Sequence, residues 1–210
     1  MTEIDTKLWK KRFQHIPVLQ TPRLYLRRMT PHDAADMYDY ARLPQVTEYL
    51  LWRPHPSKAY TAQYLSQIQA DYRAGRFFDW GIIDRQSDRL IGTCGFTTLD
   101  FANFVGEIGY VLHPAFSGRG LATEAATEVM KFGFYEIGLH RVEAHYMAEN
   151  MQSLRVMERL GMHPEGIHRA MLFVKGAFRD IGICAILREE FEAIYGTEAD
   201  HRIDWHARMR

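Results

Sequence analysis

The sequence predicts an α/β fold of the α+β kind, a central mixed sheet with helices on both faces, and three observations carry that expectation. Short period-two runs, such as Phe78, Trp80 and Ile82, read as strands. Between them lie helical faces, such as Leu121, Ala125, Val129 and Phe132, spaced i, i+4, i+8 and i+11. The elements follow the order strand, two helices, three strands, helix, strand, helix, two strands and a terminal helix.

Taken in order, residues 7–16 form a short basic helix before Pro17, and Arg23–Arg28 alternates as a strand. Thr30 and Pro31 mark a helix start, with the helix running to about Arg42. Pro44, Pro54 and Pro56 break residues 43–57 into turns carrying Tyr49, Leu50, Leu51 and Trp52, which are core plugs or pocket walls. Ser57 caps a helix over about 58–74, which Gly75 ends. A hairpin follows: the Phe78–Ile82 strand, a turn at Arg85–Asp88, and a return strand from Arg89 to about Thr98. A third strand, Val105–Leu112, precedes a long helix ending near Gly138, and Arg141–Tyr146 is the next strand. Asn150 caps a helix whose apolar face is Leu154, Met157 and Leu160, and Gly161 stops it. Strands at about 168–174 and 178–187 flank Lys175-Gly176, and a helix over about 188–195 ends at Gly196. Ile203 and Trp205 are the residues able to dock an otherwise polar tail.

Length and composition bound the function. A chain of 210 residues fits one domain, with a core over about 21–195, an N-terminal extension 1–20 and a tail 196–210. With 26 basic and 26 acidic side chains the net charge is zero, which argues against broad electrostatic binding of nucleic acid. Arg169, Lys175 and Arg179 leave only a local basic patch. Cys94 and Cys184 lie in apolar strand-like runs, as buried, reduced thiols of a cytoplasmic protein do, and lack zinc-ligand spacing, so no metal is expected. No apolar run reaches membrane-spanning length and the first residues are not a signal peptide; the expectation is a soluble protein with no membrane partner.

The stretch Tyr110–Ala126 carries the chemistry. It runs from a strand through Pro114 and the loop Ser117-Gly118-Arg119-Gly120 into a helix. Two glycines before a helix leave the first amide N–H groups unobstructed. Those groups have no partner inside the helix and lie at its positive end, so they form a site for phosphate, to which Arg119 adds a charge. A turn that merely starts a helix is the plainer alternative. The loop lacks the third glycine and downstream acid of a dinucleotide fingerprint and the Lys-Ser/Thr end of a P-loop, which leaves a pyrophosphate cradle of another kind.

Three stretches together resemble the GNAT superfamily of acetyl-coenzyme A-dependent N-acetyltransferases, nearest its RimJ/RimL branch, whose founding members acetylate the N-termini of ribosomal proteins. They are Glu107–Pro114 with Gly118–Ala125; Asn150-Met-Gln-Ser-Leu-Arg-Val-Met-Glu-Arg-Leu-Gly161; and Thr21-Pro-Arg-Leu-Tyr-Leu-Arg-Arg28 with Leu90–Phe96. The resemblance implies a mostly antiparallel, twisted sheet of about seven strands whose central strands splay to hold acetyl-CoA. It implies that the backbone of Tyr110, Val111 and Leu112 pairs with the pantetheine arm. The pyrophosphate would lie on the amides of Gly118, Arg119, Gly120, Leu121, Ala122 and Thr123. Gly120 and Ala122 fit the family loop, and Ser117, in place of a long polar residue at its head, remains able to cap the helix.

The implied reaction is direct attack of a neutral amine on the thioester. It needs a proton acceptor, a donor to the thioester oxygen and an acid for the thiolate. Ser153 matches the serine that protonates or hydrogen-bonds the leaving sulfur, or is an ordinary first-turn serine; Asn150 matches a pantetheine contact, and a plain N-cap role is compatible with it. The glutamate some RimL-like enzymes use as base falls at Leu172 here. Glu107 is then the candidate base or a solvent-facing charge; Glu143 and His145, on one strand face, or a water chain are the others. Arg155 reaches the cofactor phosphates or is a solvated helix residue, and Trp52, Phe78, Trp80 and Tyr146 wall an acceptor pocket or pack the core. The expected partners are acetyl-CoA and a primary amine, either a protein N-terminus or a small molecule, for a monomer or homodimer. Leu172 and Ser117 motivate the alternative of a non-catalytic acyl-CoA-binding module.

Overall fold

Among the described residues, eight strands form one open sheet, and their pairing leaves a gap at its centre. They are β1 (Leu19–Gln20), β2 (Leu24–Arg27), β3 (Asp79–Asp84), β4 (Arg89–Asp100), β5 (Val105–Leu112), β6 (Arg141–Met147), β7 (His163–Val174) and β8 (Ala177–Leu187). They lie in the order β1-β2-β3-β4-β5-β6-β8-β7, antiparallel at every junction except β5–β6. This computed structural model describes residues 13–197. Residues 7–12 of the expected basic helix, and Ile203 and Trp205 in the tail, lie outside the described residues. The sheet has one strand more than the seven expected, because β1, opposite Leu26 and Tyr25, is too short to show an alternating pattern.

The helices are α1 (Ala34–Ala41), α2 (Pro44–Thr47), α3 (Lys58–Ala74), α4 (Leu121–Lys131), α5 (Met151–Arg159) and α6 (Arg188–Tyr195). The helix expected at 58–74 has those bounds: Ser57 Oγ accepts from the Tyr60 amide at 3.1 Å, and Gly75 ends it at φ 62°. Three boundaries differ from the sequence expectation. Residues 31–33 form a 3₁₀ turn because Thr30 N and Oγ1 both donate to Asp33 Oδ2, at 2.7 and 3.2 Å, and α1 starts only after it. Pro44, read as a breaker, instead opens α2, where a first-turn proline loses no intrahelical bond. The helix after Gly120 is α-helical to Lys131 and then widens to a π turn, Phe132–Ile137, before Gly138.

Adjacent residues of β3 show the two covered faces. Trp80 is fully buried, its ring edge-on to Phe132 at 5.3 Å, on the face covered by α4 through Leu121, Ala125 and Val129. Asp79 and Gly81 point the other way; Tyr72 of α3 donates to the Asp79 carbonyl at 2.6 Å, and a Cβ on Gly81 would meet Met29 and Leu90. Cys94 and Cys184 are free and buried. Among the described residues no helix is long and apolar enough to cross a membrane.

The gap follows from register. β5 and β6 pair through Val105↔Arg141, Gly106↔Val142 and Glu107↔Glu143 and then part. From Ile108 to Leu112, β5 has β4 on one side only, while β6 pairs with β8 along its whole length.

Candidate active site

The parted strands open a cavity of about 600 Å³ that is lined from both faces of the sheet. On the α4–α5 side it is lined by Tyr110, Asn150 and Ser153. Asn150 Oδ1 accepts from the Ser153 amide at 3.1 Å, so it caps α5 and holds Ser153 in the first turn. Tyr110 Oη lies 3.1 Å from both the Ser153 carbonyl and Ser153 Oγ. Burial pushes the Tyr110 phenol far above its ordinary pKa, so it stays neutral. Tyr110 Oη can donate to the Ser153 carbonyl or to Ser153 Oγ, and when it donates to Oγ the serine keeps its own proton free for another acceptor. Val111 also lines the cavity; Leu112, paired with Gly92 at the end of β5, and residues 117–123 lie beyond it.

The glycine loop has the form of an anion cradle. Gly118 and Gly120 have φ of 76° and 75°, the left-handed region that glycine adopts without strain. A Cβ at Gly118 would meet no atom within 4 Å, so the loop is open on that side. The N-cap position of α4 falls on Gly120 with no side-chain cap, and Ser117, exposed and extended, does not fill the capping role expected of it. The first backbone bond there is Glu124 N–H to Gly120 O at 3.0 Å, which leaves the amides of Leu121, Ala122 and Thr123 without intrahelical partners. Thr123 Oγ1 is closed to solvent with no hydrogen bond. These groups suit a pyrophosphate. Arg119 is exposed, its guanidinium 5.4 Å from the Phe116 ring centroid, and Arg155 is exposed on α5.

A clamp from the start of the chain fixes this loop. Arg23 donates through Nη1 to Arg119 O at 2.9 Å and through Nε to Glu124 Oε2 at 2.6 Å. Glu124 Oε1 accepts from Thr21 Oγ1 at 2.5 Å and from the Arg23 amide at 3.0 Å. Burial raises the Glu124 pKa, but these donors outweigh it and hold the carboxyl below its ordinary value.

On the opposite face the β5–β6 register brings together the three candidate bases. Glu107 Oε1 is 3.6 Å from His145 Nδ1, and Thr98 Oγ1 donates to Glu107 Oε2 at 3.3 Å. His145 Nε2 is 3.4 Å from Glu143 Oε1 but, closed to solvent, lacks hydrogen-bond geometry to it. Arg141 ties Glu143 to Glu165, at 3.1 and 2.5 Å. Leu172 lines the cavity, so β7 brings no carboxylate at that point. Trp52, Phe78 and Tyr146 are walls of the cavity, whereas Trp80 belongs to the core, its indole N–H donating to Pro17 O at 2.9 Å.

One functional candidate was missed in the sequence. Asp79 lines the same cavity, partly buried, with Oδ1 closed to solvent and without a partner. Burial pushes its carboxyl up to about 7, against the Thr93 hydroxyl and the Trp80 amide, which favour the charged form. The available signal was the alternation of Phe78, Trp80 and Ile82, which puts Asp79 on the other face beside Gly81.

The family profile described as acetyltransferase (GNAT) domain matches residues 23–163. An uncharacterised N-acetyltransferase of Bacillus licheniformis is 33% identical over 176 residues, which is 82% of this chain and 97% of that protein. The ribosomal protein uS5-alanine N-acetyltransferase of Escherichia coli K12 is 28% identical over 175 residues, 80% of this chain and 89% of that one. Among solved structures, the microcin C7 self-immunity acetyltransferase in complex with acetyl-CoA and AMP superposes with a TM-score of 0.70 at 19% identity, over 80% of this chain and 93% of that one, a likeness of fold. The chain belongs to the GNAT family and is an acetyltransferase.

Proposed function

We propose that the chain, as one acetyltransferase domain, moves the acetyl group of acetyl-CoA to a primary amine by direct attack on the thioester. The observation that carries this is the cavity through the parted strands, with Ser153 and Tyr110 on one face and Glu107 and His145 on the other. Acetyl-CoA, which the microcin self-immunity enzyme binds, supplies an activated acyl group. The amides of Gly118–Thr123 bind the pyrophosphate, and the free edge of Tyr110, Val111 and Leu112 takes the pantetheine arm. Glu107 takes the proton that the acceptor ammonium must lose, with His145 beside it to share the charge. Ser153, held by Asn150 and Tyr110, donates to the departing sulfur. Since Leu172 brings no carboxylate, the base comes from β5 rather than β7. A protein N-terminus remains an acceptor class through the RimJ/RimL resemblance, and the Escherichia coli relative is named for an alanine of ribosomal protein uS5.

Thiol release from acetyl-CoA across a panel of amines and N-terminal peptides tests the proposal. Ser153→Ala and Glu107→Gln are each expected to lower kcat by about 10²-fold with the melting temperature retained. Unchanged rates in both remove the assigned roles. Binding of CoA without turnover of any amine would restore the non-catalytic alternative.

A further inference from the structure

Asp79 has no task in the chemistry above, yet it is built into the same cavity. A buried carboxylate oxygen is ordinarily hydrogen-bonded, because its desolvation is otherwise uncompensated. Asp79 Oδ1 has no partner, and the groups acting on the carboxyl are burial, a hydroxyl and an amide, none of them cationic. Tyr40 Oη, from α1 on the same cavity, is a second buried polar atom without a partner. Trp52 and Tyr64 add aromatic walls there. Two orphaned oxygens among aromatic rings form a receptor for an ammonium, which brings three N–H donors and a charge that π faces attract.

The floor between Asp79 and the gap is bare. Asp79 pairs with Gly95, and Gly95 with Gly109, on the face that Glu107 shares. Both glycines line the cavity and neither has room for a side chain: a Cβ on Gly95 would come within 2.3 Å of Asp79 Cα and Phe78 O, and one on Gly109 within 2.8 Å of Thr97 Cγ2. Two strand spacings, about 10 Å, separate Asp79 from the gap. Asp79, Gly95, Gly109 and Glu107 line the same cavity, and a carbon chain lying in it bridges Asp79 and the gap.

We infer that Asp79 with Tyr40 recognises a second cationic group on the acceptor, so that the preferred substrates are small diamines. The inference rests on the proposed acetyl transfer to amines. Its test compares kcat/KM for 1,4-diaminobutane and 1,5-diaminopentane with that for 1-aminobutane and 1-aminopentane. The expected diamine preference is about tenfold or more and resides in KM. In Asp79→Asn, with folding checked by its melting temperature, the ratio falls to about one. Equal rates for diamines and monoamines in the unaltered protein, or a preference that survives Asp79→Asn, overturn the inference and leave acetyl transfer standing. Turnover of no amine fails the transfer proposal itself. A peptide pair, Ala-Lys against Ala-Leu, that outruns the diamines assigns the second charge to a peptide and overturns the small-molecule class.

Discussion

Asp79 destabilises the free protein in a way that pH exposes. Its carboxyl titrates near about 7 when folded, against about 3.9 in an unfolded chain. The folded state therefore binds more protons between those values, and the stability held below about pH 4 is lost as pH rises to about 7. The titratable groups near it, Tyr40 from α1, Tyr64 and Tyr72 from α3 and, on the other face of the sheet, Cys94 from β4, are all raised by burial and stay neutral across that window. Asp79→Asn is thus expected to gain about 1–3 kcal/mol at pH 8 and nothing at pH 4, measured by urea unfolding at both values. A gain of equal size at the two pH values would contradict a titrating carboxyl. A stability cost of this kind is compatible with a residue kept for function rather than for folding.

Element boundaries decide whether the cradle is rigid. The first turn of α4 has no side-chain cap and depends on Glu124 and Arg23 to hold it against β2. Arg23→Ala is expected to weaken CoA binding by about tenfold, read by calorimetry, with kcat at saturation little changed. An unaltered Kd would show that the loop holds its shape unaided. This clamp illustrates what the sequence made legible. Thr21-Pro-Arg-Leu was visible as a motif, but its partner Glu124 lies 101 residues from Arg23, and only folding names it. Elements with local signals match their expected bounds to within a residue or two: α3 from Ser57 and Gly75, α5 from Asn150 and Gly161, α6 from Gly196. β7, expected from about 168, starts at His163, because Pro164 looks like a loop residue. At the sheet edge its missing N–H costs no ladder bond. In the site, Glu143 and His145 shared a face by simple alternation, whereas their approach to Glu107 needed the β5–β6 register.

At the scale of the whole molecule, the sheet of the described residues is two leaves, β1–β5 and β6–β8, which pair directly through Val105, Gly106 and Glu107. An amide without a strand partner exchanges readily, and a ligand bound to it restores protection. CoA is therefore expected to slow hydrogen exchange most at Ile108–Leu112 and at the diverging end of β6, and least in β3. Uniform protection across the sheet would contradict binding in the gap. The junction works like a zip fastener with three teeth engaged and the rest held apart. A fourth tooth, Ile108 meshed with Ala144, would make a stronger fabric and sew the sheet into a wall, with the donor on one side and the acceptor on the other. Tighter pairing at this one place therefore selects against the enzyme, and a hunt for stabilised variants that ignores activity is liable to find it.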